Sequence, residues 1–171
     1  GHALAAHFMF EEGDQELNVG GMETAECHSM SMEFFAEKYM EMFCGDGADA
    51  YRLKHMLDSF CFIPYGVIVD EFQHVIYEHP DYTPEDRKRV YRDLEKKYRP
   101  YLSYAGIPYL EEGTRWQYQM HIYESPFYYI DYCLAQTVAF GFFLKSRKDY
   151  KGAFADYLNF VRQGGQKAFP T

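Results

Sequence analysis

Apolar positions in this 171-residue chain recur at three- and four-residue steps over long stretches, the period of a helix with one buried face. Residues 2–10 read as a short helix that runs out at Glu11-Glu12-Gly13-Asp14, with a polar loop carrying it to Gly20-Gly21. Residues 22–43 form a second helix, filled with the good helix formers Met, Glu, Ala and Lys and ended by Gly45-Asp46-Gly47. The third spans 48–78. Pro64 inside it predicts a kink or two abutting helices, because proline removes one helical hydrogen bond and crowds the preceding turn. Val67-Ile68-Val69 is strand-like in isolation, but Glu71, His74 and Glu78 continue a helical period around it, so the segment is expected to be helical.

The cap signals are sharper further along. Thr83 is an N-cap, Pro84 the first helical residue and Glu85-Asp86 the acidic first turn of a helix over 84–98. Residues 99–113, rich in Pro, Gly and Tyr, read as loop, and 115–123 as a short helix. Ser125-Pro126 repeats the cap-then-proline signal and predicts a long apolar helix from there to about Ser146. A last helix covers 150–162, closed by Gly164-Gly165. The expected fold is all-α, an orthogonal multi-helix array forming a single helical domain over 1–171.

Composition narrows the function. The net charge of −9 argues against a nucleic-acid surface, which needs a basic stripe. Lys96, Lys97 and Arg99 instead stand at a helix end, where cations suit the negative pole. No apolar run is long enough to span a bilayer, so no membrane partner is expected. Cys27, Cys44, Cys61 and Cys133 are scattered without a C-x-x-C pair, which reads as reduced, buried thiols and a cytoplasmic location. Seventeen tyrosines and fifteen phenylalanines exceed what a core alone uses, and predict an aromatic-lined groove beside ordinary packing.

The candidate chemistry begins at the first residues. A zinc site that hydrolyses peptides uses three protein ligands and an open position for water, and an H-E-x-x-H helix supplies two histidines one turn apart with a general base between them. Gly1-His2 fits the last two positions of such a motif, the first His and the Glu lying upstream of Gly1. On the second helix Glu26, Ser29, Glu33 and Glu37 share a face, and stacked carboxylates on a Met- and Phe-rich helix call for solvent or a cation as partner. His28, His55, His74 and His79 read as local ion-pair partners, His74 beside Glu71 and Glu78.

Glu26-x-x-Ser29-x-x-x-Glu33, about two dozen residues after the Gly-His-Ala helix, resembles the third-ligand helix of the thimet-like and oligoendopeptidase F zinc peptidases. Asp70-Glu71-Phe72-Gln73-His74, Tyr82-Thr83-Pro84-Glu85, Trp116-Gln117-Tyr118-Gln119-Met120-His121 and Pro126-Phe127-Tyr128-Tyr129-Ile130-Asp131-Tyr132 are similar to the same family, on its oligoendopeptidase side. The resemblance implies the C-terminal part of a zincin-type catalytic domain, truncated at both ends. It implies His2 as second zinc ligand, Glu26 as third, and Glu33 as the outer carboxylate that orients a ligand. It also implies His121 with Tyr129 and Tyr132 as donors to the scissile carbonyl, Tyr128 being the alternative tyrosine. The parent would hydrolyse short peptides through a zinc-bound water. The chain alone is expected to be inactive, its first zinc His and general-base Glu missing, and to self-associate through surface exposed by truncation. Two other readings stand beside this one: a non-catalytic helical scaffold or interaction module descended from the peptidase, and a di-iron bundle. The bundle wants a second Glu-x-x-His pair beside Glu71-x-x-His74, and Glu124 is followed three residues later by Phe127 instead.

Overall fold

The computed structural model describes residues 1–11 and 21–164, and among them every regular element is helical. The α-helices are α1 (His2–Glu11), α2 (Met22–Ala36), α3 (Met40–Cys44), α4 (Ala48–Glu78), α5 (Pro84–Tyr98), α6 (Pro108–Glu111), α7 (His121–Glu124), α8 (Ile130–Lys148) and α9 (Tyr150–Arg162), with 3-10 turns before and after α3 and over Arg115–Tyr118. The expected turn at Gly13 and Asp14, and Gly165 of the closing pair, lie outside the described residues. None of these helices is long and apolar enough to cross a membrane.

The elements follow their local chemistry closely where caps were written into the sequence. At α5 the Thr83 hydroxyl accepts from the Asp86 amide at 3.2 Å while Asp86 takes the Thr83 amide at 3.1 Å, a reciprocal capping box. Asp149 caps α9 by accepting from the Gly152 amide at 3.0 Å. Pro64 sits within α4, which is one helix of 31 residues rather than two. The helix expected over 22–43 is divided by the 3-10 turn Glu37–Tyr39, and α6 forms in the stretch read as loop.

The largest departure is the start of α8. Residues 125–129 are turn, with the Tyr128 amide on the Ser125 carbonyl at 3.2 Å, and Phe127 adopts the left-handed region at φ 64°. The reason is tertiary. Gln73, fully buried in α4, accepts the Phe127 amide at 2.9 Å and donates to the Val69 carbonyl at 3.1 Å. That bond holds a conformation that the local sequence does not favour.

The chain divides into two compact units, Gly1–Leu57 with Leu134–Thr171, and Asp58–Cys133. In the first, α1 and α2 pack with α9 around Ala5, Phe35, Ala153, Tyr157 and Val161. Tyr157 of α9 donates to the His28 carbonyl at 2.8 Å and Tyr150 to the Phe35 carbonyl at 3.1 Å, so α9 is hydrogen-bonded to the backbone of α2 as well as packed on it. The buried face of α2 is Cys27, His28, Ser31, Phe34 and Phe35, which turns the Glu26–Ser29–Glu33 edge sideways. In the second unit Ile68, Val69 and Phe72 of α4 meet Tyr91 and Leu94 of α5 with Trp116, Ile122 and Tyr129. All four cysteines are free thiols, Cys27 and Cys133 buried as expected but Cys61 exposed and Cys44 half-buried.

Candidate functional site

Two clusters contain the residues singled out in the sequence, one in each unit. In the first unit, α1 meets α2 so closely that a β-carbon on Gly1 would clash with the carbonyl of His28 and with Ser29. The Gly1 carbonyl starts α1 by accepting from the Leu4 and Ala5 amides, each at 3.0 Å. The close approach places His2 Nε2 3.4 Å from Glu26 Oε2. The Ser29 hydroxyl lies 2.9 Å from the same Glu26 oxygen and 3.1 Å from the Glu26 carbonyl, holding the carboxylate to its own helix. His28, one step round the helix and 4% exposed, is pushed down to about 4 by burial, aided by the positive charge of His2 and of the Gly1 ammonium and opposed by Glu26. A neutral His28 thus backs the pair without adding a cation to it.

Zinc fits this pair as far as the pair goes. Ligand bonds of about 2.0–2.1 Å arranged tetrahedrally put neighbouring donor atoms about 3.3–3.4 Å apart, and an imidazole nitrogen with a carboxylate oxygen is an ordinary zinc donor set. His2 and Glu26 stand at that spacing. Among the described residues no third His, Cys, Asp or Glu joins them to complete a metal-binding group.

Glu33 lies two turns along α2 from Glu26, and its carboxylate takes a hydrogen bond from His55 Nε2 at 2.9 Å, while His55 Nδ1 faces Glu37 at 3.4 Å. His55 is therefore an ion-pair partner of two carboxylates, and its ring lies between Phe34 and Tyr51. His74 pairs with Asp70 at 3.5 Å rather than with Glu71 or Glu78, since Glu71 is held by Lys97 and Tyr98. His79 stacks on Tyr82 at 4.6 Å.

The second unit gathers His121, Tyr128, Tyr129 and Tyr132. The Tyr132 hydroxyl is 3.3 Å from His121 Nε2. Tyr129 meets the imidazole edge to face at 5.0 Å between centroids, and Tyr128 lies at 6.2 Å. The tyrosines divide by burial. Tyr129 is 9% exposed, belongs to the core and has its hydroxyl pushed well up by that burial, whereas Tyr128 and Tyr132 are half-buried. The short 3-10 turn Arg115–Tyr118 and α7 deliver Gln119 and His121 to the same place. Gln119 Nε2 is 2.6 Å from His121 Nδ1, and Gln119 Oε1 accepts from the Tyr65 hydroxyl at 2.7 Å. Gln119 stands inside the Trp116-to-His121 segment that carries the family resemblance, which implies no role for it, and Tyr65 stands in none of those segments. Only the spacing of Gln119 two residues before His121 could have pointed to the first, and nothing local points to Tyr65.

Solved structures resemble the chain throughout its length. An oligoendopeptidase F matches at 49% identity with a TM-score of 0.95, over 99% of this chain and 30% of that one. A PZ peptidase A crystallised with an inhibitor matches at 48% and 0.92, over 98% and 30%. An oligoendopeptidase F from Bacillus anthracis str. Ames matches at 40% and 0.80, over 98% and 27%. The chain thus spans under a third of the length of these structures, and no curated protein matches it. The family model of peptidase family M3 covers residues 5–169, and with these structural matches the chain belongs to that family.

Proposed function

We propose that these residues form part of a zinc-dependent oligopeptidase that hydrolyses short peptides, and that the 171-residue chain alone does not turn over substrate. Membership of peptidase family M3 and the likeness to oligoendopeptidases support the reaction class. The single observation that carries the metal reading is the 3.4 Å spacing of His2 Nε2 and Glu26 Oε2. These two side chains would hold the zinc ion. Zinc, when bound, supplies a Lewis acid that activates water and polarises a peptide carbonyl.

The rest is the work of this chain's own groups. Glu26 is kept in orientation by Ser29, so its carboxylate would meet the ion without a rotamer search. Glu33 acts at one remove, bonding His55 of α4 to α2. His121 and Tyr132 offer an N–H and an O–H side by side, the kind of paired donors that stabilise negative charge developing on a carbonyl oxygen. Tyr129 is the apolar wall that sets the imidazole plane. The isolated chain lacks turnover on this reading because, among the described residues, no third ligand joins His2 and Glu26, and two ligands bind zinc weakly.

The test is chelator-sensitive cleavage of a quenched fluorescent peptide by the oligopeptidase that contains these residues. His2→Ala and Glu26→Gln abolish it, and Tyr132→Phe lowers kcat by about 10²–10³ with little change in KM. An undiminished kcat in Tyr132→Phe removes the donor role, and chelator-sensitive turnover by the 171-residue chain removes the claim of inactivity.

A further inference from the structure

His121 can carry its single neutral-state proton on either ring nitrogen, and only one of the two tautomers places an N–H beside Tyr132. The surroundings of the opposite nitrogen decide between them. Gln119 Nε2 stands 2.6 Å from His121 Nδ1, and the amide oxygen at its other end accepts from the Tyr65 hydroxyl at 2.7 Å. An amide nitrogen has hydrogens to give and no lone pair to offer, so the ring nitrogen facing it must be the acceptor. The ring proton then sits on Nε2, 3.3 Å from the Tyr132 oxygen. From there it can donate to the Tyr132 hydroxyl oxygen.

The strut behind this arrangement is firm. The Gln119 amide donates to the Trp116 carbonyl at 3.0 Å, and its carbonyl accepts from the Ile122 amide at 3.1 Å, so the backbone is tied on both sides. Tyr65 lies between the guanidinium groups of Arg99 and Arg115, whose central carbons are 5.7 and 5.4 Å from its ring. Burial pushes the Tyr65 hydroxyl up, so it stays protonated and remains a donor. The imidazole meets the rings of both Tyr129 and Tyr132 edge to face, with centroids 5.0 and 5.5 Å apart.

We propose that Gln119, set by Tyr65, is a positioning residue that fixes His121 as the Nε2–H tautomer, with the ring proton on the side of Tyr132. The inference rests on the reading of that pair given above, but its first test does not need activity. Long-range ¹⁵N–¹H NMR correlations of the 171-residue chain, with His121 assigned by its loss in His121→Gln, report which ring nitrogen is protonated. The expected result is a pyrrole-type Nε2 and a pyridine-type Nδ1. Gln119→Glu replaces the donor with an acceptor and moves the proton to Nδ1. Tyr65→Phe frees the amide to rotate and gives a mixture of both forms, which covers the case in which Gln119→Glu fails to fold. A protonated Nδ1 in the neutral wild-type ring, or a folded Gln119→Glu chain with the proton still on Nε2, overturns the proposal. A moved proton with unchanged kcat in the oligopeptidase upholds Gln119's role and overturns the catalytic reading of His121 instead.

Discussion

Gly1 rests directly on the backbone of His28, with no room between them for a β-carbon. This contact sets the distance between α1 and α2, and with it the reach of His2 to Glu26. Gly1→Ala must separate the helices or bend one of them, at a cost of about 1–3 kcal/mol for an overpacked contact. The expected outcome is a lower urea midpoint with an unchanged slope. An unaltered midpoint would show that the helices can move apart freely.

Ser29 restrains the Glu26 oxygen that faces His2. Loss of such an outer partner usually weakens metal affinity about 10–100-fold. Calorimetric titration with Zn²⁺ is expected to give weak binding to the wild-type chain, weaker binding to Ser29→Ala, and none to Glu26→Gln. Equal binding by wild type and Glu26→Gln would remove α2 from the metal site.

These effects mark what could be read in the sequence. The helical period, the Thr83 cap and the Glu26–Ser29–Glu33 edge are local, so they are legible from residue type and spacing. The tautomer of His121 is not, because it depends on Tyr65, which is 54 residues from Gln119 along the chain. The start of α8 misleads for the same reason. Ser125-Pro126 has good cap chemistry, but a buried glutamine of α4 captures the Phe127 amide and delays the helix to Ile130. The role of Glu33 beside a metal ligand is implied by the family resemblance alone, and its hydrogen bond to His55, 22 residues further along, comes only from the fold.

His55 gives the first unit a pH dependence of defined sign. Its pKa is raised from 6.5, chiefly by the hydrogen bond to Glu33 and further by Glu37, with burial opposing. A group whose folded pKa exceeds its unfolded one contributes its full stability below the unfolded value and loses it as the pH rises through the folded value. The loss is therefore expected from about pH 6.5 upward. His28, whose folded pKa is down to about 4, is neutral in the folded chain across that window but takes up a proton near pH 6.5 when unfolded, so its own contribution has the opposite sign and rises with pH. Thermal midpoints are to be compared at pH 6 and pH 8 in wild type and in His55→Gln, where the shift with rising pH should be more downward in the wild type, the His28 contribution being common to both. The same slope in both proteins would assign the dependence to another group.

Phe127 offers the sharpest check on the entrance to α8. Its φ of 64° is a conformation that costs an L-residue with a side chain about 1–2 kcal/mol and glycine almost nothing. In wild type the Gln73 bond and ring contacts at 4.9 Å to His74 and 5.0 Å to Tyr77 hold it there. Phe127→Ala and Phe127→Gly both lose the ring, so the difference between them isolates the backbone. Phe127→Gly should be the more stable by about 1 kcal/mol, the reverse of the order these residues follow in a helix interior. Gln73→Leu, which leaves the Phe127 amide without its acceptor, should cost about 1–3 kcal/mol in either background. Urea unfolding of the variants reads all three values. If the alanine variant equals or exceeds the glycine variant, the turn does not require the left-handed conformation, and α8 could begin at Pro126 as its cap chemistry suggests.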